Sequence, residues 1–274
     1  MSITSQSLMS MTGEDLTTAL WELFHENTKL SRLDFPVPTE AVVAVMAQMS
    51  ESLSYETAEV TPLPGPGAFP VPTLSLADAI VRRNSARSFS GAPVTLPQLG
   101  ALLYYGYGVN RTAQETGFGR AFRNAPSGGG LFPLEIYFAA RAVEGLSPGL
   151  YHYQSLRQQA ERIAGETAVN KALGSLMQAD IAATAPVTFF ITALFNRTVF
   201  KYRDRGYRFI LLEAGHVAQN INLAAEAVGL ASLNIGGYVD READEALDLD
   251  GLSQSTVYVV SVGERGGAGE GAMV

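Results

Sequence analysis

The sequence predicts an α+β fold, and three observations carry that reading. Residues 207–230 hold a long helical repeat of apolar side chains. The runs 135–143, 149–153 and the stretch from Val187 have the β-branched and aromatic content of strands. Helices and strands follow one another without the regular alternation that builds a parallel sheet. At 274 residues, 47% hydrophobic and 17% charged, the chain can bury a sizeable core and is too apolar for general disorder.

In chain order, residues 15–30 place Leu16, Ala19, Leu20 and Leu23 at helical spacing, and a second short helix is expected in AVVAVMAQMSESL. Residues 62–72 contain five prolines, which forbid helix and favour an extended linker. Residues 1–72 therefore read as an N-terminal extension with a Pro-rich linker, 73–266 as the main domain and 267–274 as a loose tail. Ser75 with Asp78 forms a capping signal for a helix over 76–83, and a second helix starts near Thr95, with Pro97 in its first turn. Strands 135–143 and 149–153 flank a turn at Pro148-Gly149. In the long helix, Ile210, Ala214, Val217, Ile221, Ala224 and Val228 mark one face, and Gly229 is its left-handed stop. LNIGGY and TVYVVSVG supply the last strands.

Composition excludes several chemistries. With no cysteine there are no disulfides, thiolate nucleophiles, iron–sulfur clusters or cysteine-bound zinc. His25, His152 and His216 are far apart and none has metal-ligand spacing, so no metal site is expected. A net charge of −8 argues against a general nucleic-acid binder. The apolar runs fall short of a membrane span, and MSITSQSLMS lacks the pattern of a secretory signal, so the expectation is a cytoplasmic protein.

Against that acidic background four segments carry candidate chemistry. Arg82, Arg83, Asn84, Ser85 and Arg87 gather forked donors and a hydroxyl at a helix end, which suits a phosphate as well as a solvated basic helix terminus. Asn124 to Gly130, with Pro126, Ser127 and Gly128, is a glycine loop that lets backbone approach a planar ligand, although it lacks the ending of a P-loop. Ile235, Gly236 and Gly237 form a second glycine pair at a strand end. RTVFKYRDRGYR packs Arg197, Arg203, Arg205, Arg208 and Lys201 beside two tyrosines. It reads as a charged loop, or as a site in which apolar Val199 and Phe200 partly desolvate Lys201 toward useful base strength.

Taken together these segments resemble the nitroreductase superfamily over residues 75–265. That resemblance implies an α/β/α sandwich, a homodimer and an FMN cofactor in the interface between subunits. It implies flavin contacts at Arg83, Ser85 and Arg87, with Asn84 where an arginine is usual, and at Pro126, Ser127, Gly128, Ile235, Gly236, Gly237 and Arg265. It places the long helix, with its stripe of Ile210, Val217 and Ile221, in the dimer core, the alternative being a stripe packed inside one protomer. Within the superfamily PSGGGLFPLEIY, GLYHY, FKYRDRGYR, LLEAGHVAQNINLAAEAVGL and the early FHENTKLSR are similar to SagB-type dehydrogenases. These oxidise peptide thiazolines and oxazolines to azoles. The resemblance assigns Lys201 as the base and Tyr202 as its neighbour in ring orientation, dioxygen as the final oxidant, and a cyclodehydratase as the partner that delivers an azoline-containing precursor peptide. Two rivals stay open: an NAD(P)H-dependent nitro or quinone reductase of the same fold, and a non-catalytic scaffold subunit of a peptide-modifying complex.

Overall fold

The computed structural model describes residues 19–34, 36–70, 72, 74–117 and 119–267. The expected opening of the first helix at 15–18, the opening MSITSQSLMS segment and the tail after 267 lie outside these residues.

The chain begins with helices α1 (Leu20–Asn27) and α2 (Thr39–Gln48), then strand β1 (Glu59–Pro62). Helices α3 (Leu76–Arg82) and α4 (Leu96–Tyr107) follow, each opened by a hydroxyl cap that satisfies an orphan amide. The Ser75 side chain accepts from the Asp78 amide at 3.1 Å, and Thr95 makes a reciprocal capping box with Gln98. The short strands β2 (Val109–Arg111) and β3 (Phe122–Arg123) pair around the one-turn helix α5 (Ala113–Thr116). Next come β4 (Leu134–Ala140), β5 (Gly149–Gln154), β6 (Gln159–Gly165), α6 (Glu166–Gly174), α7 (Ala179–Ala182) and β7 (Val187–Leu194). The last elements are α8 (Asn196–Tyr202), α9 (Arg205–Ala227), β8 (Ala231–Ile235), α10 (Asp240–Ala246) and β9 (Gln254–Gly263).

Seven strands make one antiparallel sheet in the order β1-β6-β5-β4-β7-β9-β8. Every residue of β4 is buried, so both faces of the sheet need cover. On one face Ile136, Phe138, Phe189 and Ile191 pack with Leu99, Leu102 and Leu103 of α4 and with the α9 stripe. On the other, Tyr137, Ala139, Phe190 and Val259 pack with Val169, Ala172 and Leu173 of α6 and with Ala182 and Ala246. The strict change of face at each step along β4 is the period-two geometry of a strand. This is the α/β/α sandwich expected from the sequence.

One expectation is corrected. Ile210, Val217 and Ile221 are fully or almost fully buried within the single chain, against its own sheet and α4. The stripe closes the protomer core and is not free to form a dimer interface; a periodic apolar face records burial but not against which chain. Gly229 does adopt φ +78° after α9, as its role as a helix stop requires. A further finding concerns the first 72 residues: Glu59–Pro62 pair with β6 as an edge strand, where Pro62 removes no needed ladder donor.

The early segment is also tied down by a buried ionic network. His152 of β5 lies between two carboxylates, Nε2 2.9 Å from Glu135 and Nδ1 3.0 Å from Glu161. Ionised carboxylates only accept, so both ring nitrogens donate and the ring is an imidazolium. Arg197 donates to Glu135 at 2.7 Å. Gln159 donates to Glu161 at 3.1 Å, and residues 52–55 add further donors: the Leu53 amide reaches Glu135 at 2.8 Å, and the Tyr55 amide and Ser54 hydroxyl each reach Glu161 at 3.1 Å. Burial alone would push the His152 proton off, but its bonds to both glutamates raise its pKa above the ordinary 6.5. Burial is the largest influence on Glu135 and Glu161 and would raise both, yet the His152 bond together with the Arg197 charge at Glu135, and with the Tyr55 and Gln159 bonds at Glu161, holds both below 4.5.

These shifts set a pH window for stability. The carboxylates bind fewer protons folded than unfolded, so their contribution is present above about pH 4.5 and is lost as pH falls further. His152 binds more protons folded, so its contribution is present below pH 6.5 and is lost as pH rises through its elevated pKa. His152→Leu leaves Glu161 buried without its counter-charge and is expected to cost about 3–5 kcal/mol, the scale for breaking a buried pair. Urea denaturation of the variant, repeated from pH 4 to 9, should show the lowered midpoint and the loss of the alkaline decline.

Candidate functional site

The sequence-predicted residues fall into separate groups in the fold. At the phosphate-like group, the residues after α3 turn along the sheet margin: the Ala86 amide donates to the Ser232 carbonyl at 2.9 Å, and Ser85 bridges Ser232 of β8. Phe89 bridges Arg265 just past β9. This brings the 83–87 turn and Arg265 to one side of the molecule, where Arg82 and Arg265 line a cavity of about 300 Å³ together with Glu226. Ser85 and Arg87 are exposed and Arg83 is half-buried. Asn84 is exposed, and its amide is turned back to the Arg82 carbonyl at 3.1 Å. Its position in the series is therefore occupied by a helix-end bond.

A second group forms around the glycine loop. Residues Gly128–Gly130 make one 3₁₀ turn with Gly129 at φ +67°. A Cβ on Gly129 would sit 2.6 Å from the Tyr202 hydroxyl and 2.7 Å from Lys201 Nζ, and one on Gly128 would touch Phe209 at 3.4 Å. Only a bare backbone admits the two side chains so close. Lys201 and Tyr202 close α8 and are both half-buried. The Lys201 ammonium lies 5.1 Å from the Tyr202 ring centre, and that ring meets Phe209 edge-on at 4.9 Å. The segment read as a charged loop is thus two helices joined at Arg203, which takes φ +49°. Ser127 Oγ accepts from the Phe132 amide at 2.9 Å, fixing the loop's exit, while Pro126 is exposed at its entrance.

The third group is the β8 end. Ile235 is buried and Gly236 and Gly237 are exposed; the Gly237 carbonyl accepts from the Met177 amide at 2.9 Å. A Cβ there would press on Met177 at 3.1 Å.

Sequence reasoning missed one group beside the loop. Glu213 of α9 is buried, accepts from the Tyr107 hydroxyl at 2.8 Å and is bonded by Ser127. Arg123 lies over the Tyr107 ring at 4.7 Å. Burial pushes the Glu213 carboxyl up to about 7, against the bonds from Ser127 and Tyr107 and the charge of Arg123. The signal was available: Glu213 stands between Ile210 and Ala214 on the apolar stripe, where a carboxylate is rare unless it has partners.

FMN is tested against this arrangement by its donors and its space. Arg82, Arg83, Arg87 and Arg265 form no ion pair with a carboxylate among the described residues, which leaves their forks available for a phosphate. Two glycine segments present bare backbone, as a flat ring system requires. The residues fit.

A three-layer sandwich with guanidinium groups at one margin and glycine loops at others defines a class of cofactor-binding oxidoreductase folds, and the comparisons specify it. Residues 80–264 match the nitroreductase family model, and the chain belongs to that family. It is 37% identical over 177 residues to the nitroreductase-family protein MJ1384 of Methanocaldococcus jannaschii, covering 64% of this chain and 85% of the relative. It is 32% identical over 153 residues to the microcin B17-processing protein McbC of Escherichia coli, covering 53% of this chain and 56% of McbC. The chain thus spans little more than half of that relative. Its fold matches a chain of the E. coli microcin synthetase McbBCD complex with truncated pro-MccB17 bound, at TM-score 0.59 and 23% identity over 96% of this chain and 98% of the other. Proteins of this family bind FMN, and a nitroreductase-fold structure from Desulfovibrio desulfuricans is a complex with FMN, at TM-score 0.50 and 17% identity over 73% of this chain and 92% of that one. The resemblance to peptide-processing dehydrogenases read from the motifs therefore stands. Among the described residues no helix is long and apolar enough to cross a membrane.

Glu213 gives a test of the site's electrostatics. A carboxyl raised from 4.5 to about 7 binds more protons folded than unfolded across that interval, so folding stability falls as pH rises through it. Glu213→Gln keeps an acceptor for Tyr107 and removes the charge. It is expected to flatten that fall and to gain about 3 kcal/mol over wild type above pH 7, an order-of-magnitude figure from the shift. Urea midpoints of both proteins at pH 5 and pH 8 check it.

Proposed function

We propose that this protein is an FMN-dependent dehydrogenase that oxidises thiazoline or oxazoline rings in a modified peptide to the aromatic azoles. The observation that carries the reading is the placement of Lys201 and Tyr202 against the glycine loop at Gly129. The similarity to McbC supports it. In this reading Arg83, Ser85, Arg87 and Arg265 hold the FMN phosphate, while Pro126, Ser127, Gly128, Ile235, Gly236 and Gly237 lie along its ring system. The cofactor site is completed by a second copy of the chain, and a cyclodehydratase supplies the azoline peptide. When bound, FMN supplies the two-electron acceptor that takes a hydride from the ring.

The chain's own residues supply the rest. The Lys201 amine removes the proton on the ring carbon next to the C=N nitrogen, so one proton and one hydride leave and the ring loses two hydrogens. Hydride transfer without a base would leave a cation and no azole. Tyr202, held edge-on by Phe209, orients the ring beside Lys201. Gly129 keeps the loop clear of both side chains. A second reading, an NAD(P)H-dependent reductase of small nitro compounds or quinones, is favoured by the 37% identity to MJ1384.

Lys201→Ala separates the two. Loss of a general base is expected to slow azole formation by about 10²–10⁴-fold. FMN content should stay at the wild-type level, because no phosphate contact is removed. Mass spectrometry of an azoline peptide, following the loss of two hydrogens per ring at matched flavin content, measures it. Wild-type azole formation by the variant would remove the base assignment, and NADPH-driven nitroaromatic reduction unchanged by the substitution would favour the reductase.

A further inference from the structure

Helix α1 contributes nothing to the core, since none of its residues is buried and Leu20 and Trp21 are 81% and 69% exposed. It is nevertheless fixed. The carbonyls at a helix C-terminus lack partners, and here guanidinium groups from the start of α9 meet them. Arg208 donates to the His25 carbonyl, and Arg205 donates to the Thr28 carbonyl at 3.1 Å. Phe24 packs edge-on against Tyr207 at 5.5 Å and lies 5.6 Å from the Arg208 guanidinium. Helix α2 is anchored separately: Val42 and Met46 bury against Leu131 of the glycine-loop segment, with Phe200 and Tyr202 packed alongside. Two cations of the charged cluster RTVFKYRDRGYR, Arg205 and Arg208, therefore fasten the N-terminal residues.

Between the two anchors the connecting chain closes a cavity of about 460 Å³. One wall is drawn from residues 27–31, Asp34, Pro36 and Val37; the other holds Lys201 and Tyr202. The volume is that of a small-molecule site. Apolar Leu30 and Val37 alternate with Ser31 and Asp34, a mixture that suits the side chains and amides of a peptide better than a purely apolar or purely charged ligand. Arg205 also lines the cavity, and the bond from its guanidinium to the Thr28 carbonyl ties the two walls together.

We infer that residues 27–31, with Asp34, Pro36 and Val37, form the specificity-determining wall for the peptide segment flanking the azoline ring, and that Arg208 is the clasp that holds this wall over Lys201. The inference rests on the peptide-dehydrogenase reading, because a ring delivered to Lys201 inside this cavity brings its neighbours against that wall.

The absence of cysteine allows a direct test. Leu30→Cys, at a residue 69% exposed, carries a benzophenone label, and Leu252→Cys, at a remote residue 85% exposed, carries it as control. Each FMN-loaded protein is irradiated with a short synthetic peptide containing one thiazoline. The expected result is cross-linking from position 30 at least about tenfold above position 252, mapped by mass spectrometry to residues next to the ring. In parallel, Arg208→Ala should raise KM for the peptide at least about tenfold with kcat and flavin content unchanged, the split expected of lost uniform binding. Equal cross-linking from both positions while the peptide is still turned over overturns the wall. An unchanged KM in Arg208→Ala overturns the clasp. A wild-type protein that binds FMN but turns over no thiazoline peptide fails at the proposed function itself, and the inference falls with it.

Discussion

The fold depends on a histidine held between two glutamates in the interior of a sheet. His152 and Arg197 balance Glu135 and Glu161, so the buried charges sum to neutrality, but neutrality alone does not make such a cluster stable. Each carboxylate oxygen taken out of water needs a donor. His152, Arg197 and Gln159 give each oxygen one, and the Leu53 and Tyr55 amides with the hydroxyls of Ser52 and Ser54 give each a second. The 50s segment therefore completes a donor set that the sheet and α8 begin, and the sheet's two carboxylates in turn fix the path of that segment. Two of the motifs that carry the resemblance, LEIY and GLYHY, place Glu135 and His152 in this network, and so serve architecture before chemistry.

Much of this was legible. The capped helices at Ser75 and Thr95, the strands after Leu134, Gly149 and Val187, and the long helix stopped at Gly229 were read within a few residues, because period and capping chemistry are local. Strand β6 was not. Its buried positions include Glu161, and an interior carboxylate spoils the alternation by which strands are read. β1 was hidden by its closing Pro62, which is tolerated because the strand is an edge. The stripe of α9 was seen, but period cannot say which surface covers it. At the site, the residue types were found in sequence while their grouping was not, since the approach of Gly129 to Lys201 and Tyr202 joins positions about seventy residues apart in a chain of 274. Glu213 could have been suspected from its place on the apolar stripe, but its partners Tyr107 and Ser127 come from elsewhere in the chain.

The groups of site residues differ in how they are held. The Arg82 and Arg265 margin is fixed by backbone bridges to β8 and β9, which are rigid elements of the sheet. The Gly129 loop is fixed by side chains from α8 and α9, with Ser127 and Glu213 at its base. If the proposed FMN contacts hold, a stiff margin and a side-chain-supported loop would leave positioning of the cofactor's charged end to the sheet. Adjustment around a substrate falls to the helices.

The margins of the sheet bear on association as well. On one side the outermost strand is four residues long and ends at Pro62; on the other, the Ala86 amide already occupies the Ser232 carbonyl of β8. Neither margin offers a long run of open backbone donors and acceptors to a foreign strand. A foreign strand that adds itself to sheet edges would find little to extend at either end of the seven-stranded sheet.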